Sequence, residues 1–352
     1  MDRNIFIILH NRFPGEKAAS LFAALEASAF ADAKVETTLL VPRRFGRFKM
    51  DPYEYYGVSK NFNVVYLPTI DFIWLPFLRT LWFGLSTLVF GKMVLIYLFF
   101  RAKKDDIIYS NEAAPLFLAS LFFRNTLYAL HDFPRSFFWF YRMFFKRVHF
   151  ILATNNWKSE TLVKRFGVGR EKILMELNGV DVAAFSLSTG KEEARKKLNL
   201  SLDKKIVLYT GHLYEWKGVF SLADSSRYLG SNVLIVFVGG TRTDVETFKK
   251  RFGNEEGISI VGFRPHSEIP LWQKAADVLV LPNSGKEEIS RHWTSPMKLF
   301  EYMASERPIV ASDLSSIREV VDGKSVYFTP PDDASALAEG IRKILADGEL
   351  AG

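Results

Sequence analysis

Two doubly wound α/β domains, each a parallel sheet with helices on both faces, are what this sequence predicts. Three observations carry that expectation. Continuous apolar runs of strand length alternate with amphipathic stretches almost throughout, as buried parallel strands and their crossover helices do. The pattern occurs twice along the chain. The length, 352 residues, exceeds the usual size of one core and suffices for two.

In the first half the strand candidates are "NIFIIL", "VETTLLV", "NVVYL", "DIIYS", "TLYAL" and "HFILAT". In the second they are "KIVLYT", "NVLIVFVG", "ISIVG", "DVLVLPN", "RPIVAS" and "SVYFTP". The boundary is expected at the polar stretch "SLSTGKEE" that follows "LNGVDVAAF", giving domains of residues 1–185 and 186–352. Ligands of such sheets sit beyond the carboxyl ends of strands, so the loops after strands are where chemistry is sought.

Composition sets limits on that chemistry. The absence of cysteine excludes disulfides, a thiolate nucleophile and a cysteine-ligated metal, and fits a reducing compartment. "NIFIILH" has only five consecutive apolar residues, Ile5 to Leu9, too few for the core of an export signal, so a cytoplasmic protein is expected. The net charge of +7 is uneven: residues 1–185 hold 24 Lys and Arg against 16 Asp and Glu, and 25 of the 32 phenylalanines. A basic, aromatic first half and a nearly neutral second half imply different partners.

"GHLYEWKG", residues 211–218, lies between "KIVLYT" and a helix pattern. A helix start offers free amides, and His212 and Lys217 add positive charge, which suits a diphosphate; a plain turn with a surface lysine is the alternative. After "DVLVLPN" come "SGKEEISRHW" and "TSPMKLFEYMASERPIVASD". Ser295 reads as an N-cap and Pro296 as the first helical residue, with the amides of Met297 and Lys298 facing outward as a second anion site. Glu301 follows about one and a half turns on, within reach of a ribose diol. Two anion sites in one domain point to a nucleoside diphosphate.

"GHLYEWKG", "SPMKLFEYMASERPIVASDLSSIREVV" and "EKILMELNGVDVAAF" together resemble the family 4 (group 1) glycosyltransferases of the GT-B fold. The resemblance runs over most of the chain and is most specific from 205 to 330. It implies a second domain that binds a nucleotide sugar, a first domain that binds the acceptor, and transfer that retains anomeric configuration without metal or other cofactor. UDP- or GDP-linked sugars are the donors it implies, and a glycan or lipid-linked molecule the acceptor. Lys217 would be the phosphate-binding lysine and Glu301 the ribose-binding glutamate. His212 stands where an arginine is usual, so its charge would depend on pH. Trp293 stands at the first of the family's paired glutamates. An indole stacked on the donor sugar and simple local packing are both open there, with Glu287, Glu288 and Arg291 as other polar contacts.

In the first half, His131 ends the strand of "YALHDFP" and resembles the family's active-site histidine. Together with Lys217 and Glu301 it makes up the expected catalytic set. Gly15, in "RFPGEK", matches the loop that approaches the donor; a structural histidine and a turn glycine are the plain alternatives. A catalytically weak homologue acting as a nucleotide-sugar-binding partner subunit is the competing function, prompted by His212 and Trp293, and a membrane-bound interaction module is a third. The chain ends at "SALAEGIRKILADGELAG", where the family usually continues into a helix that crosses back to the first domain, so truncation is expected.

Other chemistries lose support. The sequence has no Asp-x-Asp, no G-x-G-x-x-G, no P-loop and no histidine pair at zinc-site spacing. From Ile70 to Phe100 the longest uncharged stretch is Thr80 to Gly91, twelve residues, short of the ~20 that span a bilayer. A transmembrane segment is therefore not expected. "RSFFWFYRMFFKRVHF" mixes Arg135, Arg142, Lys146 and Arg147 with Phe137, Phe138, Trp139, Phe144 and Phe145. Such a segment suits peripheral contact with an anionic membrane surface, on the inner face, while part of it covers the sheet. "RRFGRFK", 43–49, has no nucleic-acid module beside it, and no nucleic-acid partner is expected.

Overall fold

The computed structural model describes residues 3–15, 17–44, 50–71, 79–131, 133–134 and 136–346. The chain divides into two units, Met1–Glu176 and Leu177–Gly352. The division precedes the 185/186 boundary read from the sequence. Asp181 caps the short helix Val182–Phe185, and Phe185, buried, joins a core of the second unit.

The first unit runs β1 (Asn4–Ile8), α1 (Ala18–Asp32), β2 (Glu36–Pro42), α2 (Pro52–Tyr56), β3 (Asn63–Leu67), α3 (Arg79–Arg101), β4 (Ile107–Ser110), α4 (Ala113–Ser120), β5 (Thr126–Leu130), α5 (Phe138–Arg147), β6 (Phe150–Ala153), α6 (Asn156–Phe166) and β7 (Ile173–Met175). Its strands are parallel, in the order β3-β2-β1-β4-β5-β6-β7. Six are the expected strands; β7, three residues long, is too short to show as an apolar run. Along β1, Ile5 and Ile7 pack under α1 and α2. Phe6 and Ile8 pack under α3 to α6 on the other face, the alternation that side chains on a strand impose.

The second unit continues with α7 (Val182–Phe185), α8 (Lys191–Lys197), β8 (Lys205–Thr210), α9 (Val219–Ser225), β9 (Val233–Val238), α10 (Arg242–Phe252), β10 (Ile258–Gly262), α11 (Ile269–Ala275), β11 (Val278–Leu281), α12 (Met297–Ala304), β12 (Ile309–Ser312), α13 (Ser315–Arg318), β13 (Tyr327–Thr329) and α14 (Ala334–Ala346). All six expected strands form, in the order β10-β9-β8-β11-β12-β13. Ile206 and Leu208 of β8 face one core, and Val207 and Tyr209 face the other. Each sheet is therefore doubly wound. Strand order reverses between β1 and β4 and between β8 and β11, and at such reversals loops diverge and leave a crevice for ligand.

α3 differs from its sequence reading. The uncharged run is twelve residues, but the helix is 23 long, and Leu81–Arg101 is long and apolar enough, by length and composition, to cross a membrane. Its placement gives another role. Ser86, Phe90, Val94 and Leu98, one every four residues, are fully buried, so this stripe covers the sheet and packs on α4. Leu81, Phe83, Leu88, Phe99 and Phe100 on its other side are exposed. Residues 45–49, 72–78, 135 and 347–352, which include most of "RRFGRFK" and the chain end, lie outside the described residues.

Candidate functional site

In the second unit the loop after β8 bends at Gly218, whose φ is +69°. A Cβ there would lie 1.7 Å from the Pro282 carbonyl oxygen, so only glycine lets the loops after β8 and β11 press together. The Ser284 amide donates to the Trp216 carbonyl across that contact, at 3.0 Å. Lys217, one residue earlier, rests its ammonium 3.8 Å from the centre of the Trp216 ring. Burial pushes the Lys217 pKa down to about 7, because a low-polarity surround disfavours the charged form.

α12 is tied to the end of β8 by Tyr302, whose hydroxyl accepts from the Thr210 amide at 3.0 Å. This places Lys298 and Glu301 beside the β8 loop. The Lys298 ammonium sits 3.9 Å from the Tyr209 ring centre and is buried with no hydrogen-bond acceptor among the described residues. Burial holds its pKa well below the usual lysine range; the Lys217 charge lowers it further and Glu301 opposes. Glu301, 7% exposed, accepts from His266 Nε2 at 3.0 Å, a partner from the loop after β10 that the sequence did not indicate.

Two details differ from expectation. α12 begins at Met297, with Pro296 as its N-cap in extended geometry and no side-chain cap. Ser295 is not the cap: Asn178 holds its carbonyl at 2.6 Å, and its hydroxyl is buried with no partner among the described residues. The first-turn amides of Met297 and Lys298 still lack intrahelical acceptors, as at any helix start.

His212 differs too. It stacks on Tyr214, ring centres 4.9 Å apart, with Nδ1 3.6 Å from Asp244, beyond hydrogen-bond distance. Burial lowers its pKa more than Asp244 raises it, so the imidazole is neutral at pH 7 rather than a cation.

Trp293 closes a wide helical turn, Ile289–Trp293, in which the Thr294 amide reaches back to the Ile289 carbonyl. α13 pins the turn through Ser316, whose hydroxyl donates to the Ser290 carbonyl at 2.6 Å. Such turns recur at functional sites, and nothing in the sequence announced it. Glu287 and Glu288 are exposed and Arg291 is half-buried.

The other candidates stand in the first unit. His131 follows β5 with Phe22 edge-on at 4.8 Å. Burial, with the Lys158 charge adding to it, lowers its pKa to about 4, so it is a neutral imidazole. Lys158, 2% exposed, donates to Thr154 at 2.8 Å; it lies in the first turn of α6, and the sequence did not indicate it. Gly15 is buried, and both its backbone groups engage the Tyr56 hydroxyl, at 2.7 and 2.9 Å.

At the β1/β4 reversal lies a further polar cluster that the sequence reading missed. Arg44 pairs with Asp71 at 3.3 Å and donates to the His10 carbonyl at 3.0 Å, and Asn11 reaches Glu112 at 3.4 Å. Its members are spread over residues 10 to 112, and no local spacing signals them. Among the described residues, no group of three or more His, Asp or Glu is placed to hold a metal ion.

Residues 204–347 match the family model described as glycosyl transferases group 1. Alpha-D-kanosaminyltransferase of Streptomyces kanamyceticus is 28% identical over 166 residues, 46% of this chain and 41% of that enzyme. The chain spans less than half the length of the curated relatives it matches. Among solved structures, Anabaena HepE in complex with UDP and glucose superimposes with a TM-score of 0.74 at 20% identity, covering 99% of this chain and 91% of that one. Sucrose-phosphate synthase of Thermosynechococcus elongatus does so with a TM-score of 0.76 at 18% identity, over the same shares of the two chains.

Proposed function

For a chain of the GT-B fold whose residues 204–347 match the group 1 glycosyltransferases, we propose retaining, metal-independent transfer of a sugar from a nucleoside diphosphate donor to a glycan or lipid-linked acceptor. The observation that carries the proposal is the half-buried Lys217 after β8, its ammonium over the Trp216 ring, beside an α12 whose Glu301 is held by His266. As the sugar leaves, negative charge builds on the diphosphate. Lys217 and the first-turn amides of α12 stabilise that charge, and Glu301 takes the ribose hydroxyls. His131, a neutral imidazole, is suited to act as a hydrogen-bonding group rather than as a cation. UDP is the first nucleotide to test, since HepE was solved with it. A thermal-shift screen against UDP, GDP, ADP and CDP and their sugars ranks the donors, because ligand binding to the native state raises apparent stability.

Activity is expected to survive EDTA, because lysine and helix amides meet the phosphate charge that a divalent ion would otherwise carry. Turnover assayed with EDTA and then with added Mg or Mn checks this; a strict requirement for either ion overturns it.

The neutral His212 favours one second reading, a weakly active homologue that binds donor as a partner subunit. Donor hydrolysis or transfer by the purified protein decides between them, and binding without turnover supports the subunit.

We place the protein at the cytoplasmic face of an anionic membrane. The exposed apolar side of α3 supports this, as do Phe137, Phe138 and Trp139 at the start of α5, all exposed, near Arg142 and Lys146. Arg147 is unsuited to a test: its guanidinium donates to the Ser120 and Leu121 carbonyls and ties α5 to the end of α4. The protein is expected to co-sediment with vesicles containing anionic lipid, less so with neutral ones. Salt is expected to weaken this binding, screening over a Debye length of about 10 Å at 0.1 M. Arg142 likewise donates to the Arg165 carbonyl of α6 at 3.2 Å, so the test is charge reversal at Lys146, expected to lower vesicle binding and spare nucleotide binding. A wild type that ignores anionic vesicles at low salt returns these aromatics to packing and favours a soluble acceptor.

A further inference from the structure

Three polar groups at the carboxyl ends of β8 and β11 and the start of α12 are buried and have no partner among the described residues. They are the Lys298 ammonium, the Ser295 hydroxyl and the Asn283 side-chain amide, Asn283 being 1% exposed. A buried ammonium without an acceptor is costly, and a fold retains one where a ligand supplies the missing charge. The Lys298 ammonium lies over the Tyr209 ring. Its stem and ammonium lie against Gly211, where a Cβ would stand 3.4 Å from Nζ; φ there is +120°. Asn283 lies in the loop pressed against Gly218, the residue after Lys217. The surrounding charges do not neutralise Lys298. Lys217 repels it, Glu301 one turn along α12 is engaged by His266, and His212 is neutral beside Asp244.

We propose that Lys298 is a second ligand of the donor's diphosphate, its side chain supplying the positive charge that His212, in the place of an arginine, does not. Asn283, in the loop after β11, and Ser295, just before α12, would add neutral donors to the same site. The inference rests on the donor-site reading above and adds to it a cation delivered from α12 rather than from the β8 loop. It also makes the ammonium a burden on the empty protein, relieved on binding.

The test is calorimetric titration of the full chain with UDP, or with GDP, ADP or CDP should UDP not bind, and with the corresponding nucleoside. The variants are Lys298→Met, Lys298→Gln and Lys298→Arg. The neutral variants are expected to bind the diphosphate about tenfold or more weakly and the nucleoside within about twofold of wild type, the loss of one charge-assisted hydrogen bond. Arginine is expected to restore part of the affinity, and the Tm of the empty neutral variants is expected to equal or exceed that of wild type. Diphosphate binding unchanged in Lys298→Met overturns the inference. So does an equal loss for nucleoside and diphosphate, or a lowered Tm in both neutral variants, which makes the lysine structural. A wild type that binds none of the four diphosphates overturns the donor site itself.

Discussion

Lys217→Ala is expected to lower kcat for sugar transfer by about 10²- to 10³-fold, the effect of removing one preorganised charge stabiliser at a leaving group. Steady-state kinetics with the preferred donor check it, and wild-type turnover removes the proposed donor site. The depressed pKa of this lysine, about 7, adds two pH dependences of opposite sign. The diphosphate needs the ammonium form, so donor binding above pH 7 has to take up a proton. Donor affinity therefore falls with rising pH, by about tenfold per unit for one such group. The empty protein behaves in the reverse way. A lysine whose folded pKa lies below its unfolded value of 10.5 binds fewer protons folded than unfolded between those limits. The burial penalty is present in full below pH 7 and relieved as pH rises toward 10.5, so the lysine's contribution to stability increases over that window. Lys298, also held well below the usual lysine range by burial, acts in the same direction. Denaturant titrations of the empty protein at pH 7 and 9, beside donor affinities at the same values, test both signs. In Lys217→Ala both slopes are expected to flatten.

Glu301→Ala is the second large effect, a loss of about 1.5 to 3 kcal/mol in donor binding or turnover, the range for a hydrogen bond to a charged group. The carboxylate is 7% exposed and one oxygen is taken by His266, which leaves the other for the ribose hydroxyls. A deoxyribonucleotide donor separates this from a general loss of packing. If Glu301 binds the diol, wild type discriminates against the 2′-deoxy donor and Glu301→Ala does not. Equal discrimination by both proteins removes Glu301 from the ribose.

The two sheets and the loops that follow their strands were legible in the sequence because their causes are local. A strand buried on both faces needs an unbroken apolar run, as in "KIVLYT" and "DVLVLPN", and a parallel pair needs a crossover helix between runs. The bend at Gly218 and the lysine before it belong to one short turn. Lys217 and Glu301 could thus be singled out as candidates from local pattern and family resemblance, with a helix start expected at Ser295–Pro296.

What those groups became was decided by residues far along the chain. Helix α12 starts one residue later than Ser295–Pro296 predicts, with Asn178 holding the Ser295 carbonyl from 117 positions away. His266 reaches Glu301 across 35 positions. His212 is neutral because the folded chain buries it, and Lys298 lies unpaired over Tyr209 because Tyr302 docks α12 against β8. α3, apolar on most sides, shows which side is core only through the buried stripe Ser86, Phe90, Val94 and Leu98. Backbone conformation follows from neighbours a few residues apart and can be read from pattern. Charge state follows from burial and from partners that only the tertiary structure assembles.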